Sequence, residues 1–391
     1  ASLSQMEKQA AIDLKAGRSN QFLSALLRHQ VVSVAEISPE AAGIFEQTSK
    51  LAEGLPQVRR VIAMAQGTPE DAHVYIRGSH QNRGEVVPAR FLEALGGETT
   101  TRLELADQVA TIDNPLTARV IANRIWHHLF ETGIVATVDD FGPQGFPPTH
   151  PKLLDWLAVE LVENGWSLKY LMKEIVLSST YRQATVPNEE ISEKLIARVD
   201  PSNDLLHCMR VRRLSGEAIR DAVLVASGRL QPKPFGPSIA THRTPFMTGR
   251  GARPSGPLDG NGRRSIYLSV YRNFLNPFML TFDTPSPFGP QGRRSKSNVP
   301  AQALAMMNDP FVIGQAKIIA DKILAVPDQT TDQKIALMVE RLHGVVPTDQ
   351  QTQQLHEFID LQAKTYGKED SRVWADLAHA LLNMKAFYFL Q

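Results

Sequence analysis

Residues 149–176 read THPKLLDWLAVELVENGWSLKYLMKEIV, and this stretch decides the fold class. The first half carries apolar residues at helical spacing, at Leu153, Leu154, Leu157 and Leu161. Such spacing predicts an amphipathic helix, which Gly165 ends. Ser167 then begins a second helix with its own apolar positions. Two successive amphipathic helices of this kind predict a multi-helix domain.

The same signals predict helices along the rest of the chain. We expect helices near 115–131, 151–164, 168–180, 216–227 and 301–323. Asn114 is predicted to cap the first helix, with Pro115 at its first position, and Ser215 to cap the fourth. Thr149 or His150 is predicted to cap the second, and Thr348 with Gln351 fits a capping box. The carboxy-terminal two thirds of the chain is therefore predicted to be mainly helical.

A short region differs from this pattern. Residues 72–78 alternate like a strand and end at a glycine, and residues 85–88 are a plausible partner strand. The predicted fold class is mainly α with a small β unit (α+β), containing a long irregular loop region and short strands. The predicted boundaries are a helical segment 1–55 from the tail of a preceding domain, a β unit 56–110, and a helical domain 111–391.

Composition narrows the possible functions. The chain has 391 residues, 42% of them hydrophobic, which is enough for a large core. The net charge of +1 argues against a nucleic-acid partner, and no apolar run is long enough to span a membrane. Cys208 is the single cysteine and is followed by Met209, so neither an intrachain disulfide nor a two-cysteine haem attachment is predicted. The chain begins at Ala1 without a signal peptide, so any export signal is expected outside it.

The long irregular segment 243–296 is the first candidate site. It holds nine Arg or Lys residues and two Asp or Glu residues, with aromatic residues among them. Guanidinium groups suit sulfate, phosphate and carboxylate, and aromatic faces suit sugar rings. The predicted substrate-binding residues are Arg263, Arg264, Tyr267, Arg293 and Arg294, with a strand at Ser265–Val270 holding the first pair. The alternative is a protein-contact loop or a solvated loop.

A second candidate is a polar cluster on the helices. Glu217 lies four residues after Arg213 and four before Asp221, so these charges share a helix face. The cluster comprises Arg124, His128, Asp140, His150, Arg213, Glu217 and Arg220. It could bind an anionic substrate or hold a general acid. It could equally be an ion-pair network that fixes helix packing.

The sequence gives little support for a metal site or for a protein kinase. His127 and His128 are adjacent, so on a helix they point about 100° apart and cannot face one metal. A site formed with other histidines stays open, but no spacing supports it, and we predict no metal ligands. Asp140-Phe141-Gly142 matches a kinase magnesium triplet without the other kinase motifs. A tight turn, in which Asp139 or Asp140 bonds backbone amides, is the simpler interpretation.

Many ordered motifs carry a resemblance to a known family. They include Asn123-Arg124-Ile125-Trp126, Asp139-Asp140-Phe141-Gly142, Pro148-Thr149-His150-Pro151, Gly165-Trp166-Ser167, Tyr181-Arg182-Gln183, Arg212-Arg213-Leu214, Phe282-Asp283-Thr284-Pro285 and Asn298-Val299-Pro300-Ala301-Gln302. Over about residues 60–391 the chain resembles the planctomycete-specific domain found behind a cytochrome-c-like module in large exported proteins. Two features depart from that pattern: Glu131 stands where glycine is common, and no Cys-x-x-Cys-His motif occurs.

The resemblance implies a cellular location and associated proteins more specifically than it implies a chemical reaction. It implies a periplasmic or otherwise extracytoplasmic component of a cytochrome-c-associated protein, an oxidoreductase acting on polymer-derived carbohydrate, including sulfated forms. The alternative is a non-catalytic glycan- or protein-binding scaffold domain. No cofactor is expected in this chain, and a c-type haem is expected on another segment or a partner chain. The implied partners are an amino-terminal portion of the same protein or a cytochrome c chain, and an anionic carbohydrate.

Overall fold

A computed structural model describes residues 71–97, 101–186, 193–251, 253–289, 291–367 and 370–390, with isolated positions between 39 and 64. The chain separates into two compact units, residues 1–89 and residues 90–391. The predicted helical segment 1–55 lies almost entirely outside the described residues.

The first unit contains an antiparallel hairpin. Strand β1 (Ala72–Tyr75) pairs with β2 (Arg83–Val87), with Ala72 opposite Val87. A 3₁₀ turn at Ile76–Gly78 begins the connection, and Gly78 adopts a φ of 73°, which suits glycine. Both predicted strands of the small β unit are confirmed.

The second unit is built from helices. They are α1 (Arg102–Ala110), α2 (Thr117–Phe130), α3 (Pro151–Glu163), α4 (Leu168–Leu177), α5 (Glu193–Val199), α6 (Gly216–Ala226), α7 (Pro277–Thr281), α8 (Pro300–Asn308), α9 (Pro310–Leu324), α10 (Thr331–His343), α11 (Asp349–Tyr366), α12 (Ser371–Leu382) and α13 (Lys385–Tyr388). Strands β3 (Arg212–Arg213) and β4 (Phe389–Leu390) form a short antiparallel pair. The mainly helical class with a small β component is confirmed. Within the described ranges, no helix combines the length and the apolar character that crossing a membrane requires.

Helices α2, α3 and α4 form a first helical layer around their own core. Leu161 of α3 and Leu171 of α4 are completely buried, as their helical spacing predicts. Trp126 and Phe130 of α2 stack with ring centroids 4.2 Å apart. These side chains remove large apolar areas from water, which is the main driving force for packing the layer.

Helices α6 to α13 form a second helical layer around a larger core. Ile319 and Ile323 of α9 and Leu377 of α12 are fully buried in it. From α6 it receives Ile219 and Val223, also fully buried. The opposite face of α6 is thereby left to carry Glu217 and Asp221, the charges discussed below.

Two predicted elements are wrong. The single helix expected at 301–323 is two helices, α8 and α9, which break at Asp309. Pro310 lacks an amide hydrogen and disfavours helical geometry in the preceding residue, so Asp309 becomes extended and accepts a hydrogen bond from Phe311 N. The strand expected at Ser265–Val270 is a 3₁₀ turn at Ser265–Tyr267, followed by one parallel bridge between Ile239 and Leu268. Among the described residues, Ile239 alone forms a β-bridge with this segment, so no continuous strand develops.

The predicted caps have mixed outcomes. Ser215 caps α6 by accepting from Ala218 N, and the Thr348–Gln351 capping box is present, so both predictions are confirmed. Asn114 is not the cap of α2: its side chain accepts from Leu116 N, and the helix begins two residues later than Pro115. His150 occupies the cap position of α3 without a side-chain capping bond.

Glu131, at the end of α2, holds a backbone conformation that normally favours glycine, with φ 69° and ψ −20°. Its side chain forms an ion pair with Lys296. The left-handed conformation costs about 1–2 kcal/mol for a non-glycine residue, and a β-branched side chain fits it worst. Replacing Glu131 with Gly removes this conformational cost, which stabilises the folded state. It also removes the ion pair with Lys296 and raises the entropy of the unfolded chain, which both destabilise the folded state. We expect Glu131→Gly to change the free energy of unfolding by less than about 1 kcal/mol.

Glu131→Val is the informative comparison for the same position. It should be at least about 1 kcal/mol less stable than Glu131→Gly, measured by urea unfolding. Equal stability of the two variants would contradict a left-handed backbone at this position.

Candidate functional site

A cleft of about 700 Å³ lies where the first helical layer meets α6, and we call it the interlayer cleft. His128 of α2 lines one side, and Glu217 and Asp221 of α6 line another. The irregular segment supplies the remaining charged walls, at Arg264, Arg294 and Lys296. The cleft therefore brings together residues from both groups predicted from the sequence.

Two carboxylates of α6 each hold an arginine of the irregular segment. Glu217 Oε2 accepts a hydrogen bond of 2.8 Å from Arg294 Nη1. Asp221 Oδ2 lies 3.5 Å from Arg264 Nε. Glu217 and Asp221 are four residues apart, so they lie about one helical turn apart on the same face. The cleft wall is thus a row of two carboxylate–arginine pairs.

The electrostatics of the cleft set its protonation state. Burial raises the pKa of Glu217, but hydrogen bonds and charge from Arg294 outweigh this, and the pKa lies below its ordinary value. Burial lowers the pKa of His128, and the cations Arg294, Arg124 and Lys296 lower it further. Near neutral pH the cleft therefore presents an ionised Glu217 and an uncharged His128 imidazole.

Residues 291–297, which we call the strap, bring Arg294 and Lys296 to the cleft. Ser297 donates two hydrogen bonds to the Asp283 carboxylate, one from its backbone amide at 2.8 Å and one from its hydroxyl group at 2.7 Å. A Cβ atom on Gly292 would lie 2.2 Å from Asp139 Cβ, so only glycine fits where the strap passes this loop. Together with the Lys296–Glu131 pair, these contacts fix the strap to both helical layers.

A buried layer of side chains supports the cleft from behind. Arg220 is 2% exposed and donates to Arg263 O at 3.0 Å, Asp259 O at 2.7 Å and Ser265 Oγ at 3.1 Å. Asp221 Oδ1 accepts from the amide and the hydroxyl of Ser265, at 2.8 and 2.7 Å. These bonds hold the backbone around Arg264 at a fixed distance from α6.

Arg263 and Tyr267 belong to this support and do not line the cleft. The Arg263 guanidinium donates 2.7 Å bonds to the carbonyls of Lys233 and Phe235 and lies 4.1 Å from the centre of the Tyr267 ring. Its donors therefore order the 233–235 backbone. Arg263 and Arg264 have different roles because their backbone is extended between two 3₁₀ turns, and successive side chains of an extended segment point to opposite sides.

The remaining predicted residues lie elsewhere. Arg213 is buried and pairs with Asp283, at 2.6 Å. Asp140 Oδ1 accepts from Gly142 N at 2.8 Å, which confirms the predicted tight turn. The residues with no place in the cleft lining also include Arg124, His150, Arg220 and the exposed Arg293. Four predicted residues do line it: Arg264, Arg294, His128 and Glu217.

Some cleft residues were missed from the sequence. Asn276 and Thr284 line the cleft on either side of α7. An Asn-Pro pair at 276–277 signals a helix start, and Asn276 caps α7 by accepting from Met279 N, but nothing in the sequence places that start beside α6. Within the described ranges, no group of three or more His, Cys, Asp or Glu residues is arranged to hold a metal ion.

These observations define a helical domain with a charged cleft between two helical layers. A family model described as PSD1, protein of unknown function (DUF1553), matches residues 101–359, more than half of the chain. The chain belongs to this family. The matched residues contain the whole lining of the interlayer cleft. Comparison with curated proteins and with solved structures finds no match.

Proposed function

We propose that the interlayer cleft binds an anionic, polymer-derived carbohydrate carrying carboxylate or sulfate groups. One observation carries the proposal: Arg264 and Arg294, 30 residues apart, converge on one cleft beside two carboxylates and a neutral imidazole. A guanidinium group donates two parallel hydrogen bonds to a carboxylate or sulfate. Carboxylates and a neutral imidazole accept from and orient hydroxyl groups, which abound on sugars.

The apolar part of the cleft suits the same ligand class. Ile266, Leu268 and Val270 line it together with the charged residues. Ligand sites are generally concave and largely apolar, with a few polar groups that fix orientation. A sugar ring offers both an apolar face and polar edges. The concave shape favours a small-ligand site over the alternative of a flat scaffold surface.

The wider setting rests on the resemblance to exported, cytochrome-c-associated proteins. We propose that the domain is an extracytoplasmic component that holds carbohydrate for an oxidoreductase, with a c-type haem on another segment or partner chain. Because Cys208 is the single cysteine, this chain cannot supply the two thioether links of such a haem. Purification with the natural partners, followed by haem absorption spectroscopy, tests this setting. An assembly without haem would contradict it.

Titration with anionic oligosaccharides tests the cleft itself. We expect Arg264→Ala with Arg294→Ala to weaken binding of oligogalacturonate and of a sulfated oligosaccharide by about 100-fold at low salt, since each lost charged hydrogen bond contributes about 1.5–3 kcal/mol. The difference should shrink at high salt, where charges are screened. Isothermal titration calorimetry measures both affinities.

Arg293→Ala is the matched control, because Arg293 is an exposed neighbour of Arg294 outside the cleft lining. It should retain nearly wild-type affinity at low salt. Neutral oligosaccharides of the same length should bind much more weakly than the anionic ones. Equal affinities of the double variant and the wild type for both anionic probes would refute the proposed site.

A further inference from the structure

The two carboxylate–arginine pairs form a repeated unit, and the repeat points to the size of the ligand. Glu217 with Arg294 is one pair, and Asp221 with Arg264 is the next. Four residues along a helix advance about 6 Å. A carboxylate with an arginine beside it therefore occurs twice along one wall of the cleft, as a hydrogen-bonded pair at Glu217 and as a looser ion pair at Asp221.

Each arginine keeps free donors for a ligand. Arg294 uses Nη1 for Glu217, and its Nε and Nη2 make no hydrogen bond within the described part of the chain. Arg264 approaches Asp221 through Nε, and its two Nη groups make none there either. The Arg294 side chain is 45% exposed, and the Arg264 side chain is 57% exposed. Each pair can thus offer a two-donor guanidinium edge to an anion.

The ion pairs themselves contribute little to folding. Pairs this exposed typically stabilise a protein by about 0–1 kcal/mol. By contrast, the buried elements behind them are rigid: Ile219 and Val223 anchor α6 in the core, and Arg220 and Asp221 hold the backbone near Arg264. The spacing between the two pairs is therefore set by the fold and not by the pairs.

We propose that the two pairs bind anionic groups on two successive residues of one carbohydrate chain. This inference rests on the proposed function and extends it from an anionic sugar to a polyanionic oligosaccharide of at least two units. Each arginine binds one anionic group, and the carboxylate beside that arginine accepts a hydrogen bond from a hydroxyl group of the same sugar. A single charged sugar can occupy either pair but not both.

A length series tests the proposal. Galacturonate, digalacturonate and tetragalacturonate are titrated calorimetrically into the full chain at low salt. We expect digalacturonate to bind at least about tenfold more tightly than the monomer, because the second contact is intramolecular. Arg264→Ala and Arg294→Ala should each remove that gain while weakening the monomer by only about twofold, since one of two pairs remains.

Controls and outcomes separate this inference from the proposed function. Arg293→Ala should keep the length dependence, and circular dichroism with thermal unfolding checks that each variant folds. Equal affinity for monomer and dimer would overturn the two-pair arrangement but leave anion binding intact. Equal losses for monomer and dimer in one single variant would overturn it as well, by indicating a single pair. Absence of binding to every carboxylated and sulfated probe would instead refute the proposed function, and the inference with it.

Discussion

Asp283→Asn is expected to lower the free energy of unfolding by about 3–5 kcal/mol. The Arg213 side chain is only 6% exposed, and Asp283 Oδ2 is the partner of its Nη2, at 2.6 Å. Asparagine has nearly the same shape and also tolerates the left-handed backbone of residue 283, at φ 63°. The substitution therefore removes the charge and leaves the backbone unstrained, so the buried guanidinium loses its counterion.

Asp155→Asn is the matched control for this effect. Asp155 pairs with Arg119 at a similar distance of 2.7 Å, but those side chains are 55% and 36% exposed. Exposed pairs contribute about 0–1 kcal/mol. Urea unfolding of both variants measures the contrast. A loss below about 1 kcal/mol for Asp283→Asn would mean that Arg213 has no need of its charged partner.

The same substitution should change the response to acid. Burial raises the pKa of Asp283, but its bonds from Ser297 and the charge of Arg213 outweigh this, and the pKa lies below the ordinary value. A carboxylate with a lowered folded-state pKa stabilises the protein fully above its unfolded pKa, about 3.9, and loses that contribution as the pH falls further. Asp283→Asn should therefore weaken the pH dependence of stability below about pH 4.

Arg220→Leu is expected to lower the free energy of unfolding by about 3 kcal/mol. The Arg263 carbonyl would lose its donor, and a buried acceptor without a partner costs about 1–3 kcal/mol. The Asp259 carbonyl would lose the bond from Arg220 and keep the one from Gly262 N, at 3.1 Å. Leucine also removes the guanidinium group, whose carbon lies 5.6 Å from the centre of the Phe311 ring. The expected loss thus combines the lost hydrogen bonds with the lost contact to this ring.

Arg229→Ala serves as the comparison. Arg229 also contacts residue 259, but it does so from an exposed side chain that pairs with the Asp259 carboxylate at 2.8 Å. Its expected cost is below about 1 kcal/mol. Arg220→Leu should also weaken anion binding, since the backbone that carries Arg264 loses its support. Wild-type stability of Arg220→Leu in urea unfolding would show that Arg220 does not hold this segment in place.

The sequence predicted the secondary-structure elements better than it predicted the roles of individual charged residues. Arg213, Arg220, Arg263 and Arg264 all appeared as candidate binding residues, since each is a basic residue near aromatic or acidic neighbours. The first three are buried supports, and only Arg264 reaches the cleft. A guanidinium satisfied by backbone carbonyls and one free to bind an anion are the same residue type in the sequence. Only the surroundings of each side chain separate them.

By itself the sequence determined the helical class, most helix positions and the small hairpin, because apolar spacing, Pro, Gly and capping residues act locally. It also determined that this chain lacks the two cysteines of a two-cysteine haem attachment, since Cys208 is its single cysteine. The tertiary structure decided which charges meet. Arg294 and Glu217 are 77 residues apart, and their contact depends on how the strap, α2 and α6 pack. Contacts between such distant residues arise from the packing of two cores, which no local pattern encodes.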